Sequence, residues 1–292
     1  MANKIINFGS LNIDHVYTVA EFVRPGETIA CKEYKQFCGG KGLNQSIALA
    51  RAGAPVSHAG KIGTDGLWLK ELLDKDGTDT TQLQVIDAPT GHAIIQVDSK
   101  GENCIVLYGG ANRSITPADV SAALENFSEG DILLTQNEVT SVPEMFREAD
   151  KRGMTIVFNP APMTDEVREY PLELVDYLVL NEVEGAALVD TDAPRDIMRA
   201  LKERYPRAQV ILTIGGDGAL FYQDKEIVHV PTEKVKVVDT TAAGDTFMGY
   251  FLASLVAGAS LRDAVQSGCK AGAKCVTKPG AADSIPYKSE VR

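Results

Sequence analysis

Between residues 131 and 214, short apolar runs alternate with helical periods. Asp131–Thr135, Thr155–Phe158, Tyr177–Leu180 and Val210–Ile214 read as strands. Apolar positions recurring every third or fourth residue predict helices over Val142–Arg152, Glu182–Val189 and Ala193–Tyr205. This alternation predicts a largely parallel sheet with helices on both faces. Polar or glycine residues follow the strands directly: Asn137 and Glu138, Asn159, Asn181 and Glu184, Thr213 and Gly215. Any one of them is explained by turn geometry. Four strand ends of this kind together predict a site along the carboxyl edge, where open α/β sheets bind ligands. The first third reads differently. Lys4–Phe8 predicts a buried strand, and His15–Val19 and Glu27–Phe37 predict half-exposed strands either side of Arg24-Pro25-Gly26. Gly91–Asp98 and Cys104–Tyr108 predict a hairpin across Ser99–Glu102. Together these imply a small antiparallel sheet, suited to a lid or a dimer surface.

The 292 residues allow one large α/β domain with an appendage, or two domains, and no linker or repeat divides them. Such a length buries a core without disulfides or metal staples. The net charge of −11, with no basic run, argues against nucleic acid or an anionic membrane as partner. Five cysteines, an odd number without a C-x-x-C, fit reduced thiols in the cytoplasm. The first ten residues lack the apolar core of a signal peptide, and no apolar run reaches membrane-spanning length. A soluble, cytoplasmic protein is expected.

The chemistry concentrates in a few segments. Asp239-Thr-Thr-Ala-Ala-Gly-Asp245 follows an alternating, strand-like run over Glu233–Val238 and opens a helical run over Thr246–Ala257. Small residues at a helix N-terminus leave backbone N–H groups free for an anion, and Asp245 stands beside them. A carboxylate next to an anion hole suits proton removal from a nucleophile attacking phosphate, although a capped helix explains the segment alone. Gly39-Gly-Lys-Gly-Leu-Asn44 precedes a helix over Gln45–Ala52. Its glycines let a ligand approach the backbone, and Lys41 and Asn44 can bond hydroxyls. It is not a Walker A loop, and no G-x-G-x-x-G follows a strand. Asn12 and Asp14, two apart in an extended segment, share a side and can chelate vicinal hydroxyls; an Asx turn is the plainer alternative. Thr213–Gly218 is a Gly-rich turn that admits a nucleotide or simply enters the next strand. Asn181 and Glu184 read as a helix cap or as a pair ordering Mg²⁺-bound water and phosphate. The four histidines show no ligand spacing and no Cys/His cluster suggests zinc.

Taken in order and about 200 residues apart, the Gly39–Asn44 and Asp239–Asp245 segments resemble the two signatures of the PfkB-type, or ribokinase-like, carbohydrate kinases. The resemblance covers essentially the whole chain. Gly9–Asp14, Lys41, Gly109–Asn112 and Asn159–Pro162 are most similar to the ribokinase branch. The family fold it implies is a three-layer α/β sandwich, one domain over residues 1–292, with lid strands from about 12–37 and 91–110. The implied activity is ATP-dependent phosphorylation of a primary hydroxyl on a pentose, with D-ribose first. Other furanose sugars, nucleosides or sugar acids (2-deoxyribose, fructose, adenosine, ketodeoxygluconate) are alternatives, and a non-catalytic sugar-binding regulator is a third.

The resemblance also implies residue roles. Asp245 would be the base, and the N–H groups of Ala242, Ala243 and Gly244 the anion hole. Asn12, Asp14, Gly40, Lys41, Asn44 and Glu138 would hold the sugar. Asn181 and Glu184 would place Mg²⁺ and phosphate, and Thr213, Gly215 and Gly218 would line the nucleotide site. An activating K⁺ would sit among Asp239, Thr241, Cys275, Lys278, Gly280 and Ser284. A homodimer through the β lid is expected.

Overall fold

The computed structural model describes residues 3–291; Met1 and Ala2 of the N-terminal reading, and Arg292, lie outside them. In chain order the strands and helices are β1 (Ile5–Phe8), β2 (Asn12–Thr18), β3 (Glu33–Gly39), α1 (Lys41–Ala52), β4 (Val56–Ile62), α2 (Leu67–Lys75) and β5 (Leu83–Val85). Then follow β6 (Gly91–Val97), β7 (Asn103–Tyr108), α3 (Pro117–Ala123), β8 (Ile132–Gln136), α4 (Val142–Lys151), β9 (Thr155–Asn159) and β10 (Tyr177–Asn181). The chain closes with α5 (Glu182–Val189), α6 (Pro194–Arg204), β11 (Gln209–Thr213), β12 (Ala219–Gln223), β13 (Glu226–Val230), α7 (Ala243–Val256) and α8 (Leu261–Cys275).

Nine strands form the main sheet in the order β13-β12-β11-β10-β9-β8-β1-β4-β5. All pairs from β11 to β5 are parallel; β12 and β13 continue the edge antiparallel. β1 lies between β8 and β4, so the chain leaves it towards both halves of the sheet. That is a topological switch point, where such sheets bind ligands. Successive residues of each strand point to opposite faces. Accordingly Ile6, Phe8, Leu133, Ile156 and Phe158 join one core with α3 to α6, while Ile5, Leu134, Val157 and Val179 join another with α1, α7 and α8. α1 and α7 touch closely. A Cβ on Gly249 would collide with Ala48 Cβ and stand 2.7 Å from its carbonyl carbon, so only glycine allows this spacing.

The second sheet, β3-β2-β6-β7, projects from this body. The expected lid is therefore present but mixed rather than antiparallel, because β2 and β6 run parallel. Two expected strands are corrected. Glu27–Lys32 is not strand: β2 ends at Thr18, which pairs with Glu33, so the earlier residues have no strand to pair with; Lys32 N bonds Thr18 O and Glu27 N closes a turn onto Arg24 O. Glu233–Val238 also joins no sheet. Its alternation comes from crossing a cavity mouth, not from a pleated neighbour. The helix expected from Gln45 starts at Lys41, because Gly40 at φ +94° launches it directly.

Candidate active site

Strand ends and two helix starts converge above the switch point. β1 runs through Gly9-Ser10-Leu11 into β2, and the start of α1 is pressed against that connection. A Cβ on Gly40 would stand 2.9 Å from Ser10 O, and one on Gly42 would collide with Ser10 N. The close approach turns Lys41 and Asn44 into the first turn of α1, facing the carboxyl edge. α7 begins opposite. Its N-cap, Ala242, has φ +60° and ψ 9°, a strained conformation for a residue with a Cβ, and no side chain caps the helix. The end is left open to an anion, although Ala243 N–H makes a long turn bond to Thr240 O at 3.3 Å.

Asp245 lies buried in that first turn. Its Oδ2 accepts from Asn44 Nδ2 at 3.0 Å and its Oδ1 from Gln45 Nε2 at 2.9 Å. Asn44 Oδ1 is buried with no partner, a free acceptor beside the base. Lys41 makes no ion pair among the described residues. Asp245 above all, then Glu138 and Glu184, hold its ammonium in the charged form against the opposing effect of burial. Glu138 Oε2 accepts from Lys41 N at 2.9 Å and from the Ser10 hydroxyl, which puts its carboxylate at the head of α1. Asn12 and Asp14 share one side of β2, as expected from their spacing. Asn12 Oδ1 accepts from Asn112 Nδ2 at 2.8 Å, and Asn112 also bonds both backbone groups of Leu11. Burial, with Glu138 adding to it, pushes the Asp14 carboxyl up to about 6.

Lys41, Asn181, Glu184, Thr213, Ala242 to Gly244 and Asp245 line a cavity of about 200 Å³. A second, of about 420 Å³, shares Asn181, Thr213, Ala243 and Gly244 and continues past Gly215 and Gly218. Ala243 and Gly244 thus stand at the junction of the two, with Asp245 beside them on the wall of the smaller one. Asn181 and Glu184 form a full capping box on α5: Asn181 Oδ1 accepts from Glu184 N at 2.9 Å, and Glu184 Oε2 from Asn181 N at 3.0 Å. The cap reading is the one observed, and the same two residues also form a wall of the first cavity. Burial raises the Glu184 carboxyl against the lowering effects of Asn181 and Lys41.

The second cavity also has walls that sequence reasoning missed: Thr232, Val235 and Val237 from the irregular segment, and Gly268, Gly272 and Ala273 from α8. The glycine pair one turn apart was their only signal. Behind the anion hole, Asp239 Oδ1 accepts from Thr241 N and Oγ1, and its Oδ2 from Gly280 N at 2.9 Å. Cys275 Sγ lies 3.0 Å from the buried Ser284 hydroxyl and 3.6 Å from Thr241 O. Lys278 alone of that set sends its side chain away, to Glu290 at 2.8 Å.

A carboxylate, an open helix N-terminus and an unpaired lysine at the meeting point of two cavities are the parts of a phosphoryl-transfer site. The sequence matches the profile of the pfkB family carbohydrate kinases over residues 2–288. The chain belongs to that family. It is 37% identical to the ribokinase of Staphylococcus aureus over 302 residues, covering 100% of this chain and 99% of that one. It is 35% identical to the Haemophilus influenzae ribokinase, covering 99% and 97%. Among solved structures, Cryptococcus neoformans ribokinase in complex with ADP superposes with a TM-score of 0.90 at 36% identity, covering 99% and 98%. Arabidopsis thaliana ribokinase complexed with ribose and ATP gives 0.89 at 29%, covering 100% and 98%. The chain is thus a carbohydrate kinase of three-layer α/β architecture with a separate small sheet, as the sequence implied. No helix among the described residues is long and apolar enough to cross a membrane.

Proposed function

We propose that this kinase transfers the γ-phosphoryl group of ATP to the 5-hydroxyl of D-ribose. The observation that carries the reading is the position of Asp245, in the smaller cavity beside the Ala243–Gly244 turn that it shares with the nucleotide-sized one. Asn12, Asp14, Gly40, Lys41, Asn44 and Glu138 hold the sugar, with Asp14 as acceptor for two hydroxyls. Asp245 takes the proton of the 5-hydroxyl as its oxygen bonds to phosphorus and the bond to the ADP oxygen breaks. The N–H groups of Ala242, Ala243 and Gly244, with the α7 dipole, stabilise charge on the transferred group. Thr213, Gly215 and Gly218 line the nucleotide's path.

The residues fit both expected cations. Asn181 and Glu184 offer one carboxylate and one amide at the cavity junction, which suits Mg²⁺ that keeps its waters and phosphate ligands. Bound there, Mg²⁺ would neutralise phosphate charge. Asp239, Ser284 and the carbonyls of Thr241, Cys275, Lys278 and Gly280 form an oxygen-rich set suited to K⁺, a hard cation. K⁺ there would add positive charge behind the anion hole. The Lys278 side chain has no part in it.

The same reading makes the chain one domain and a cytoplasmic homodimer. The exposed apolar residues of the lid support the dimer. Strand pairing puts Phe37, Ile105 and Leu107 on the Asp14 side of that sheet, 42%, 54% and 53% exposed. The deciding experiment is coupled ADP release with ribose, 2-deoxyribose, fructose, ketodeoxygluconate and adenosine. Ribose should give the highest kcat/KM. Equal or better turnover of another acceptor would remove ribose and leave the kinase standing.

A further inference from the structure

Asp245 is the head of a buried chain of amides that the catalytic roles above do not use. Gln45 Nε2 donates to Asp245 Oδ1 at 2.9 Å and to Asn159 Oδ1 at 3.2 Å. Gln136 Nε2 donates to Gln45 Oε1 at 2.7 Å and to Asn7 Oδ1 at 2.9 Å. Asn7 Nδ2 donates to Gly42 O and Ser46 Oγ, both at 2.8 Å. The Ser46 hydroxyl reaches His58 Nδ1 at 2.8 Å. Asn7, Gln45, Ser46, His58 and Gln136 are all 0% exposed. The series crosses β9, β8, β1 and β4, four adjacent strands, and joins them to α1 and α7.

The donor count leaves one arrangement. A carboxylate only accepts, so Gln45 must turn its NH₂ to Asp245 and its oxygen to Gln136. Gln136 must then present NH₂ to both Gln45 and Asn7, and Asn7 must turn its own NH₂ to Gly42 and Ser46. Both hydrogens of all three amides are used. Reversing any one would set donor against donor in a dry interior, where an unmade hydrogen bond is expensive. At the far end, burial holds the His58 imidazole neutral, at about 4, so its Nδ1 is free to accept from Ser46.

We propose that Gln45, oriented by Gln136 and Asn7, is a positioning residue that aims the Asp245 carboxylate for proton transfer. The inference rests on Asp245 as the base. Asn44, which shares the carboxylate, is assigned to the sugar site; Gln45 faces the sheet and meets the cavity only through Asp245 and Asn159. Gln45 therefore acts on the transition state and not on sugar affinity. The titratable groups whose charge reaches Asp245 are Lys41 at the start of α1, Glu184 on α5 and Cys275 at the end of α8.

The test compares Gln45→Met, Gln136→Met, the double variant and Asp245→Asn by kcat and sugar KM. Gln45→Met should lower kcat about 10- to 100-fold, with KM nearly constant. Gln136→Met should give a smaller loss in kcat that disappears in the Gln45→Met background, since it acts through Gln45. Should the Met variants fail to fold by circular dichroism, Gln45→Glu keeps the shape and the Gln136 bond but sets an acceptor against Asp245, and should show the same loss in kcat at constant KM. An unchanged kcat, a KM that rises as kcat falls, or fully additive losses overturn the proposal. Wild-type turnover by Asp245→Asn would instead overturn the reading of the base.

Discussion

The two sheets of this kinase are built from similar β-branched and aromatic residues and end up in opposite surroundings. Every residue of β1 and β8 is buried, whereas every residue of β7 is exposed. The body strands carry apolar side chains on both faces, so helices must cover both, and a one-residue slip would break two cores. The lid has no second layer. It is tied down at its root, where Asn112 bonds Leu11 and Asn12 and where Ile13 and Cys38 pack against α1 and α2. The groups that must be aimed, Asp245 and the α7 N–H groups, stand on the rigid sheet. Asp14, proposed to bond the acceptor's hydroxyls, stands on the smaller, exposed sheet.

This division separates what substitutions should do. Asp245→Asn, in the body, should lower kcat by about 100- to 10,000-fold while leaving sugar binding largely intact, as measured by steady-state kinetics and calorimetry. Comparable turnover would end the comparison at its strongest point. Asp14→Asn, in the lid, should raise sugar KM at least about tenfold with a smaller change in kcat. Its pH dependence has a definite sign. The ionised carboxylate accepts sugar hydroxyls, so the wild-type KM should rise as pH falls below about 6, and the variant should show no such rise.

The same carboxylate opposes folding. Because burial raises it above its ordinary value of 3.8, its ionised form weakens the folded state above pH 6, and stability returns as pH falls from 6 towards 3.8. Asp14→Asn should therefore stabilise the fold at about pH 8, by on the order of 2–3 kcal/mol at most and read as a higher Tm, with the gain vanishing near pH 4. Gly249→Ala, at the α1–α7 seam, should destabilise by about 1–3 kcal/mol in thermal melts and lower kcat as well. Leu107→Lys should leave Tm and the isolated site nearly unchanged. Light scattering should then give the monomer mass where the wild type gives twice that value; an unchanged mass would move the dimer interface off the lid.

The body was the more legible part of the sequence, for the same physical reason. Burial on both faces writes continuous apolar runs, so β8 to β11 were placed within a residue or two, and the capping box put α5 at Glu182–Val189. The lid writes weaker patterns. The Glu27–Lys32 run was read as strand because local alternation carries no information on whether a neighbour exists. Val235 and Val237 alternate in the same way, yet they line a cavity. The glycine-rich and Asp245 segments were legible because anion holes and close approaches need particular small residues. Gln45 and Gln136 were not. Two amides 91 positions apart leave no periodicity, and only the folded chain shows that they share a hydrogen bond.

Gly249 lies one turn beyond Asp245 on α7, as Ala48 lies one turn beyond Asn44 on α1. Their contact is therefore a gauge block beneath the Asn44–Asp245 bond, setting the gap between base and sugar clamp by the thickness of bare backbone. A gap set this way has no finer adjustment, because neither residue can shrink usefully and neither has space to grow. A lineage adapting this scaffold to a larger or smaller acceptor would find that dimension closed. The change would have to be made in the lid, where side chains can be exchanged without moving the base.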